Sequence, residues 1–214
     1  MKLNSFQLKW IAIITMLIDH IGAVLLPEYV VLRCIGRLSF PIFCFLLTEG
    51  FFYTRNVERY IVRLAVFAII SEIPYDLAFL GKFVDFRRQN VFFTLCVGMI
   101  MMYAIKRTNN LTIKAVYLVL AMWGAQILGG DYGYKGILLI AIYCFFREQK
   151  TIRIFLGAVW NFIGSGVIQQ FGVFAAVPLL LYSGEKGKSM KYVFYVFYPV
   201  HLLILYIISA ILNM

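Results

Sequence analysis

The stretch LKWIAIITMLIDHIGAVLL (8–26) decides the fold class. Between Lys9 and Asp19 it holds only apolar side chains and Thr15, and after His20 it returns to apolar residues. A helix crossing a hydrocarbon core needs about 20 residues, and this run is long enough. Asp19 and His20 interrupt it and no A-x-A-like cleavage site follows, so it reads as a retained first span rather than a removed leader.

The same length test, carried outward, marks about nine apolar runs: 8–26, 30–54, 60–80, 90–105, 111–128, 134–146, 153–169, 171–183 and 191–212. The expected architecture is an all-α polytopic membrane helical bundle with about nine transmembrane helices, one domain over 1–214. The run 171–183 is short enough to be re-entrant or to fuse with the run before it. Composition agrees. Hydrophobic residues make up 63% of the 214 and charged residues 14%, against about 45–50% and about 25% in soluble domains. That balance excludes a soluble domain, a disordered chain and a nucleic-acid-binding module, despite a net charge of +10. The cysteines Cys34, Cys44, Cys96 and Cys144 sit inside apolar runs without CxxC spacing, which suits packing and no metal.

The charges then orient the bundle. Fourteen of the 20 Lys and Arg fall in one set of connections, four in the other, and Arg33 and Arg37 within a span. The basic set belongs on the cytoplasmic side of the cell membrane. The N-terminus is therefore expected inside and the C-terminus outside, with 131–135 outside, 184–191 inside and the basic rim against anionic lipid.

Ionisable groups at membrane depth are costly and mark function. The spans hold Asp19, His20, Arg33, Arg37, Glu49, Glu72, Asp76 and His201. At about 1.5 Å per residue, Asp19, His20, Arg33, Arg37, Glu72 and Asp76 fall in the outer half and His201 near the middle. Arg33 and Arg37 share a helix face, as do Glu72 and Asp76, so a cross-helix ion-pair cluster is expected. Asp19 and His20 are neighbours that cannot face each other on a helix. A carboxylate orienting His20 would come from another helix, with Glu72 and Asp76 the candidates. Pro41, Pro74, Pro178 and Pro199 lie within spans, where they free carbonyls and bend helices around a cavity.

Six motifs in order now show a resemblance: IITMLIDHIGAV (13–24), LRCIGRLSFPIFCFLLTEGFFYTRN (32–56), RLAVFAIISEIPYDL (63–77), NVFFTL (90–95), DYGYKGIL (131–138) and FYPVHLL (197–203). Together they resemble the TraX family of integral membrane proteins, itself similar to the wider transmembrane acyltransferase superfamily. The family takes its name from a protein implicated in N-terminal acetylation of pilin. The resemblance implies an acetyltransferase that moves an acetyl group from cytoplasmic acetyl-CoA to an extracytoplasmic or membrane acceptor such as a pilin, a peptide or a glycan. It maps the superfamily's early-span histidine onto His20 and a second onto His201.

Acyl transfer needs a base, for which His20 is the first choice with Asp19 and His201 beside it. It needs oxyanion donors, for which Arg33, Arg37 or Asn90 can serve. Acyl-CoA phosphates can meet Arg55, Arg59, Lys106 and Arg107 at the basic rim. The same buried groups suit a proton-coupled secondary transporter, although no paired repeat with matching broken helices is visible. A non-catalytic scaffold would not need eight ionisable groups at membrane depth.

Overall fold

The computed structural model describes residues 2–164 and 166–212; position 165 of the expected run 153–169 and the extreme ends of the expected domain 1–214 lie outside the described residues. Among the described residues ten α-helices follow one another: α1 (Ser5–Val24), α2 (Val30–Gly36), α3 (Ser39–Tyr53), α4 (Val57–Leu80), α5 (Val91–Lys106), α6 (Leu111–Ile127), α7 (Gly133–Phe145), α8 (Lys150–Ile163), α9 (Ala176–Leu180) and α10 (Lys191–Leu212). A 3₁₀ segment, Gln169–Ala175, leads into α9.

Local chemistry sets the boundaries. Asn4 and Gln7 form a reciprocal capping box at the start of α1, each backbone N–H held by the other's side chain at 3.0 Å. Asn56, Asn90 and Asn110 cap α4, α5 and α6. Gly81, at φ 63°, ends α4 in the left-handed region that a glycine adopts without strain. The expected single span 30–54 is broken at Arg37 and Leu38, whose N–H groups reach back only three residues, to Cys34 and Ile35. Pro41, lacking an N–H, then fits the first turn of α3.

The bundle has two ends. At the near end, which carries the N-terminus, the N–H of Leu3 donates to Leu181 O at 2.8 Å and that of Ser183 to Leu3 O at 2.7 Å. At the far end the N–H of Gln89 donates to Gly129 O and that of Asp131 to Gln89 O, both at 2.9 Å. The Gln169–Leu180 segment runs from beside Arg37 to the near end, separately from α8, so it does not fuse with the run before it. Its seven 3₁₀ and five α residues rise roughly 21 Å, short of the ~30 Å of a hydrocarbon core.

Polar groups are buried within an apolar core while large apolar side chains cover the outside. Glu49, Asp76, Asn90, Arg153 and His201 are buried, while Val119, Trp123 and Ile127 on α6 are more than 60% exposed. Central α3 buries most of its residues; peripheral α6 buries only Ala125. Three helical stretches, Ser5–Val24, Val30–Tyr53 and Tyr192–Leu212, are long and apolar enough to cross a membrane. The chain is an all-α bundle with the makeup of a membrane protein.

Candidate functional site

The far-half cavity, about 190 Å³, lies where α1, α2, α3, α4 and α10 meet. Its wall includes Asp19, His20, Arg33, Arg37, Arg88, Asp131, Tyr132 and Tyr198. Gly36 lets α2 approach α1 closely, since a Cβ there would lie 2.0 Å from Asp19 Cβ. That close approach places Asp19 Oδ2 against two guanidiniums, Arg33 Nη1 at 3.1 Å and Arg37 Nη2 closer still. Arg37 is further fixed by donating to Arg33 O at 3.2 Å and Gln169 Oε1 at 3.4 Å.

The two histidines touch. His20 Nδ1 and His201 Nε2 are 2.7 Å apart, and the rings lie 4° from parallel, so the hydrogen bond runs in the ring planes. His201 Nδ1 is 2.7 Å from Phe197 O. A carbonyl only accepts, so Nδ1 of His201 carries the hydrogen. For neutral rings, His201 Nε2 is then an acceptor and His20 Nδ1 the donor to it. That leaves the Nε2 lone pair of His20 free to take a proton. Phe79 and Tyr198 meet the His20 ring edge-on at 5.2 and 6.0 Å.

Several expectations are corrected. His201 is not set deeper than His20. Phe194 of α10 lies against Phe6 and Trp10 of α1, so seven residues of α10 advance against ten to fourteen of α1 before the histidines meet, and residue counting misplaced the depth. Arg33 and Arg37 do not pair with Glu72 and Asp76, because Asp19 is nearer across the α1–α2 hairpin. Glu72 Oε2 instead accepts from the Asn90 side chain, and Asp76 Oδ2 accepts from the Asp85 N–H at 2.7 Å. Neither carboxylate orients His20; His201 does. Asp19, committed to the arginines, is a positioning group and not a dyad partner. Asn90 is buried, caps Phe92 N–H and donates to Ala68 O at 2.7 Å, so it has no donor left for an oxyanion.

The loop 81–90 closes the far end. Asp85 accepts from the Arg87 side chain and N–H and from Lys82 Nζ at 3.2 Å. These contacts, the Arg87 bonds foremost, hold its carboxyl well below the usual carboxylate range. They also set Arg88 into the cavity wall. Asp131 was missed by the search for charges within spans because it sits in a loop, although DYGYKGIL contains it. It is exposed and lines the cavity. Burial pushes its carboxyl up from the ordinary value, against the pull of Arg37.

A larger cavity of about 590 Å³ opens at the near end, walled by Leu46, Leu47, Leu64, Phe92 and Leu95 with Lys9, Arg63 and Lys186 among its charged groups. Glu49 also faces it and belongs to no far-end cluster. Its Oε1 accepts from Arg153 at 2.8 Å, with Arg147 at 3.7 Å. Arg55, Arg59, Lys106 and Arg107 line neither cavity. Lys106 lies over the rings of Phe51 and Phe52 and Arg107 over that of Tyr103. Lys9, Arg63 and Lys186 fall in the basic set that orients the bundle, and charge alone gives no signal of which basic groups a cavity recruits.

Comparison with known proteins matches this architecture to one family. The model of the TraX protein family matches residues 5–209. The chain is 30% identical to the "Probable fimbrial assembly protein FimC, serogroup H1" of Dichelobacter nodosus, over 94% of each chain. It is 26% identical to "Protein TraX" of Escherichia coli, over 94% of this chain and 86% of that one. No solved structure matches it. With the family pattern running from the first turn of α1 almost to the end of α10, the chain belongs to the TraX family.

Proposed function

We propose that the protein is a membrane acetyltransferase: it takes an acetyl group from acetyl-CoA at the near end and passes it to an amine or hydroxyl acceptor at the far end. The observation that carries this reading is the chain Phe197 O, His201, His20, which for neutral rings leaves an unprotonated nitrogen on His20, a residue that lines a polar cavity together with two fixed guanidiniums. Lys9, Arg63 and Lys186 would meet the donor's phosphates, and the apolar walls its pantetheine arm. His20 Nε2 removes the acceptor proton as the acceptor N or O attacks the thioester carbonyl. Arg33 or Arg37 meets the developing oxyanion. The C–S bond then breaks, and the thiolate leaves as CoA with the proton His20 took. The acceptor is a molecule presented at the far side, such as a pilin subunit, a peptide or a glycan. This agrees with the fimbrial name of one relative.

The near end would face the cytoplasm. Membrane-impermeant labelling of Phe86→Cys and Ser189→Cys in a cysteine-free background should mark Phe86→Cys from outside and not Ser189→Cys; the reverse overturns the orientation.

Two cavities on either side of a constriction also suit a proton-coupled transporter. Purified protein in detergent separates the readings. The acetyltransferase binds acetyl-CoA and releases CoA thiol when ethanolamine is supplied as acceptor, whereas a transporter does neither. Absence of both binding and thiol release overturns the proposal.

A further inference from the structure

Four side chains line both cavities: Met16, Phe43, Val91 and Tyr198. They come from α1, α3, α5 and α10, so they ring the junction between the two spaces. Two are held. Tyr198 is 3% exposed, and its ring meets those of Phe92 and His20 edge-on at 5.2 and 6.0 Å. Val91 follows Asn90, which the α4 contacts fix. The other two are freer. Met16 is unbranched with three rotatable bonds, and Phe43 makes no ring–ring contact among the described residues.

Resting on the acyl-transfer reading, we infer that this ring is a gate that selects short acyl groups, with Phe43 and Met16 as its adjustable members. The thioester sulfur stays on the near side with the rest of CoA, so the acyl group must pass the ring to reach His20. The far cavity, about 190 Å³, is little larger than the roughly 150 Å³ apolar cavity that admits a benzene ring. It must hold the acyl group and the reacting end of the acceptor together. Each added methylene therefore competes with the acceptor. The near cavity, about 590 Å³ and largely apolar, accepts a long chain readily, but a chain folded back there draws the carbonyl away from His20. Long acyl-CoA esters should bind without being transferred. The transfer itself is unchanged in kind: the acceptor gives its proton to His20, the new C–N or C–O bond forms, the C–S bond breaks and CoA leaves as the thiol.

The test compares acetyl-, butyryl- and octanoyl-CoA with ethanolamine as acceptor, on the full chain in lipid nanodiscs, reading thiol release and donor binding separately. The parent protein should use acetyl-CoA at least about tenfold better than butyryl-CoA, in line with what a pocket gains from rejecting a methylene or two. Octanoyl-CoA should inhibit by occupying the donor site. Phe43→Ala and Met16→Ala should each raise the butyryl-to-acetyl ratio about tenfold; Phe43→Trp should cut acetyl transfer while acetyl-CoA still binds. An unchanged ratio in Phe43→Ala and Met16→Ala, with the parent transferring acetyl, overturns the gate and leaves the acetyltransferase standing. A parent that neither binds nor cleaves any of the three esters overturns both. Phe43→Leu, which keeps an apolar side chain, should give an intermediate ratio; a ratio equal to the parent's while Phe43→Ala fails to fold also overturns the gate.

Discussion

At each end of the bundle a buried carboxylate is held by two arginines, and the two clamps present opposite charges to their cavities. At the far end Asp19, Arg33 and Arg37 all line the cavity, so one carboxylate faces it beside two guanidiniums. At the near end Glu49 lines the cavity while Arg147 and Arg153 stand behind it. A pocket where negative charge develops needs the first arrangement. The clamps also differ in reach. Asp19 meets Arg33 and Arg37 across the α1–α2 hairpin, 14 and 18 residues away, whereas Arg153 is 104 residues from Glu49 and ties α8 to α3. The far clamp is local to one hairpin; the near clamp ties distant helices together.

The largest expected effects break one clamp and spare the other. Arg153→Ala leaves Glu49 with only Arg147 at 3.7 Å, and stranding a buried charge costs about 3–5 kcal/mol. Arg37→Ala removes the closest Asp19 partner and a brace to Gln169, with a similar cost. Arg33→Ala leaves Asp19 with Arg37 and should cost about 1 kcal/mol, as for one hydrogen bond. Exposed Arg59→Ala should cost less than 1 kcal/mol. Unfolding in detergent micelles ranks the four. Equal stability of Arg153→Ala and Arg33→Ala would show that the near clamp does not depend on its long-range partner.

The far-end histidines come next, under the proposed acetyl transfer. His20→Ala should keep acetyl-CoA binding and lose acetyl transfer by about 10²-fold or more, mainly in turnover. His201→Ala should lose about tenfold and alter the pH profile, because His20 then loses the partner that fixes its tautomer. Normal transfer by His20→Ala with a dead His201→Ala would reverse the two roles.

The contrast also explains what was legible in the sequence. Apolar runs located every helical segment among the described residues, although run 30–54 holds two helices and 171–183 is too short to span a hydrocarbon core. The motif order identified the family, and His20 and His201 were both marked by being charge-capable at membrane depth. What failed was pairing. The rule that residues three or four apart share a face placed Arg33 with Arg37 and Glu72 with Asp76 correctly, but it carries no information about which helices adjoin. Asp19 lay one hairpin away from the arginines and took them. Asp131 and Arg88 escaped notice because loops fold into the cavity wall, and Lys9, Arg63 and Lys186 because positive-inside charge masks any binding role.

Close helix approach should separate the two ends by a smaller margin. A Cβ at Gly36 would sit 2.0 Å from Asp19 Cβ, so Gly36→Ala must push α2 off α1 and should cost about 1–3 kcal/mol. At the near end a Cβ at Gly50 would lie 3.0 Å from Tyr60 Cε1, a ring edge that can yield by a few tenths of an ångström. Gly50→Ala should therefore cost less. Measured stabilities in the opposite order would mean that α2 has room to shift and that the Asp19 clamp tolerates it.

The smallest effect concerns Asp131, the carboxylate that the far cavity adds to its clamp. Burial raises its carboxyl above the unfolded value and outweighs the opposing pull of Arg37. The folded state therefore holds this proton to higher pH than the unfolded chain does, and stability falls as pH rises between the two values. Asp131→Asn cannot ionise and escapes that loss. Relative to the parent, the variant should gain stability as pH rises from the ordinary carboxylate range through the raised value. The gain is small, since the side chain lies open to a polar cavity. Unfolding midpoints of the two proteins across this pH series provide the test. A difference that shrinks with rising pH would mean that the nearby guanidiniums dominate, and that Asp131 belongs to the clamp as a second ion-paired carboxylate.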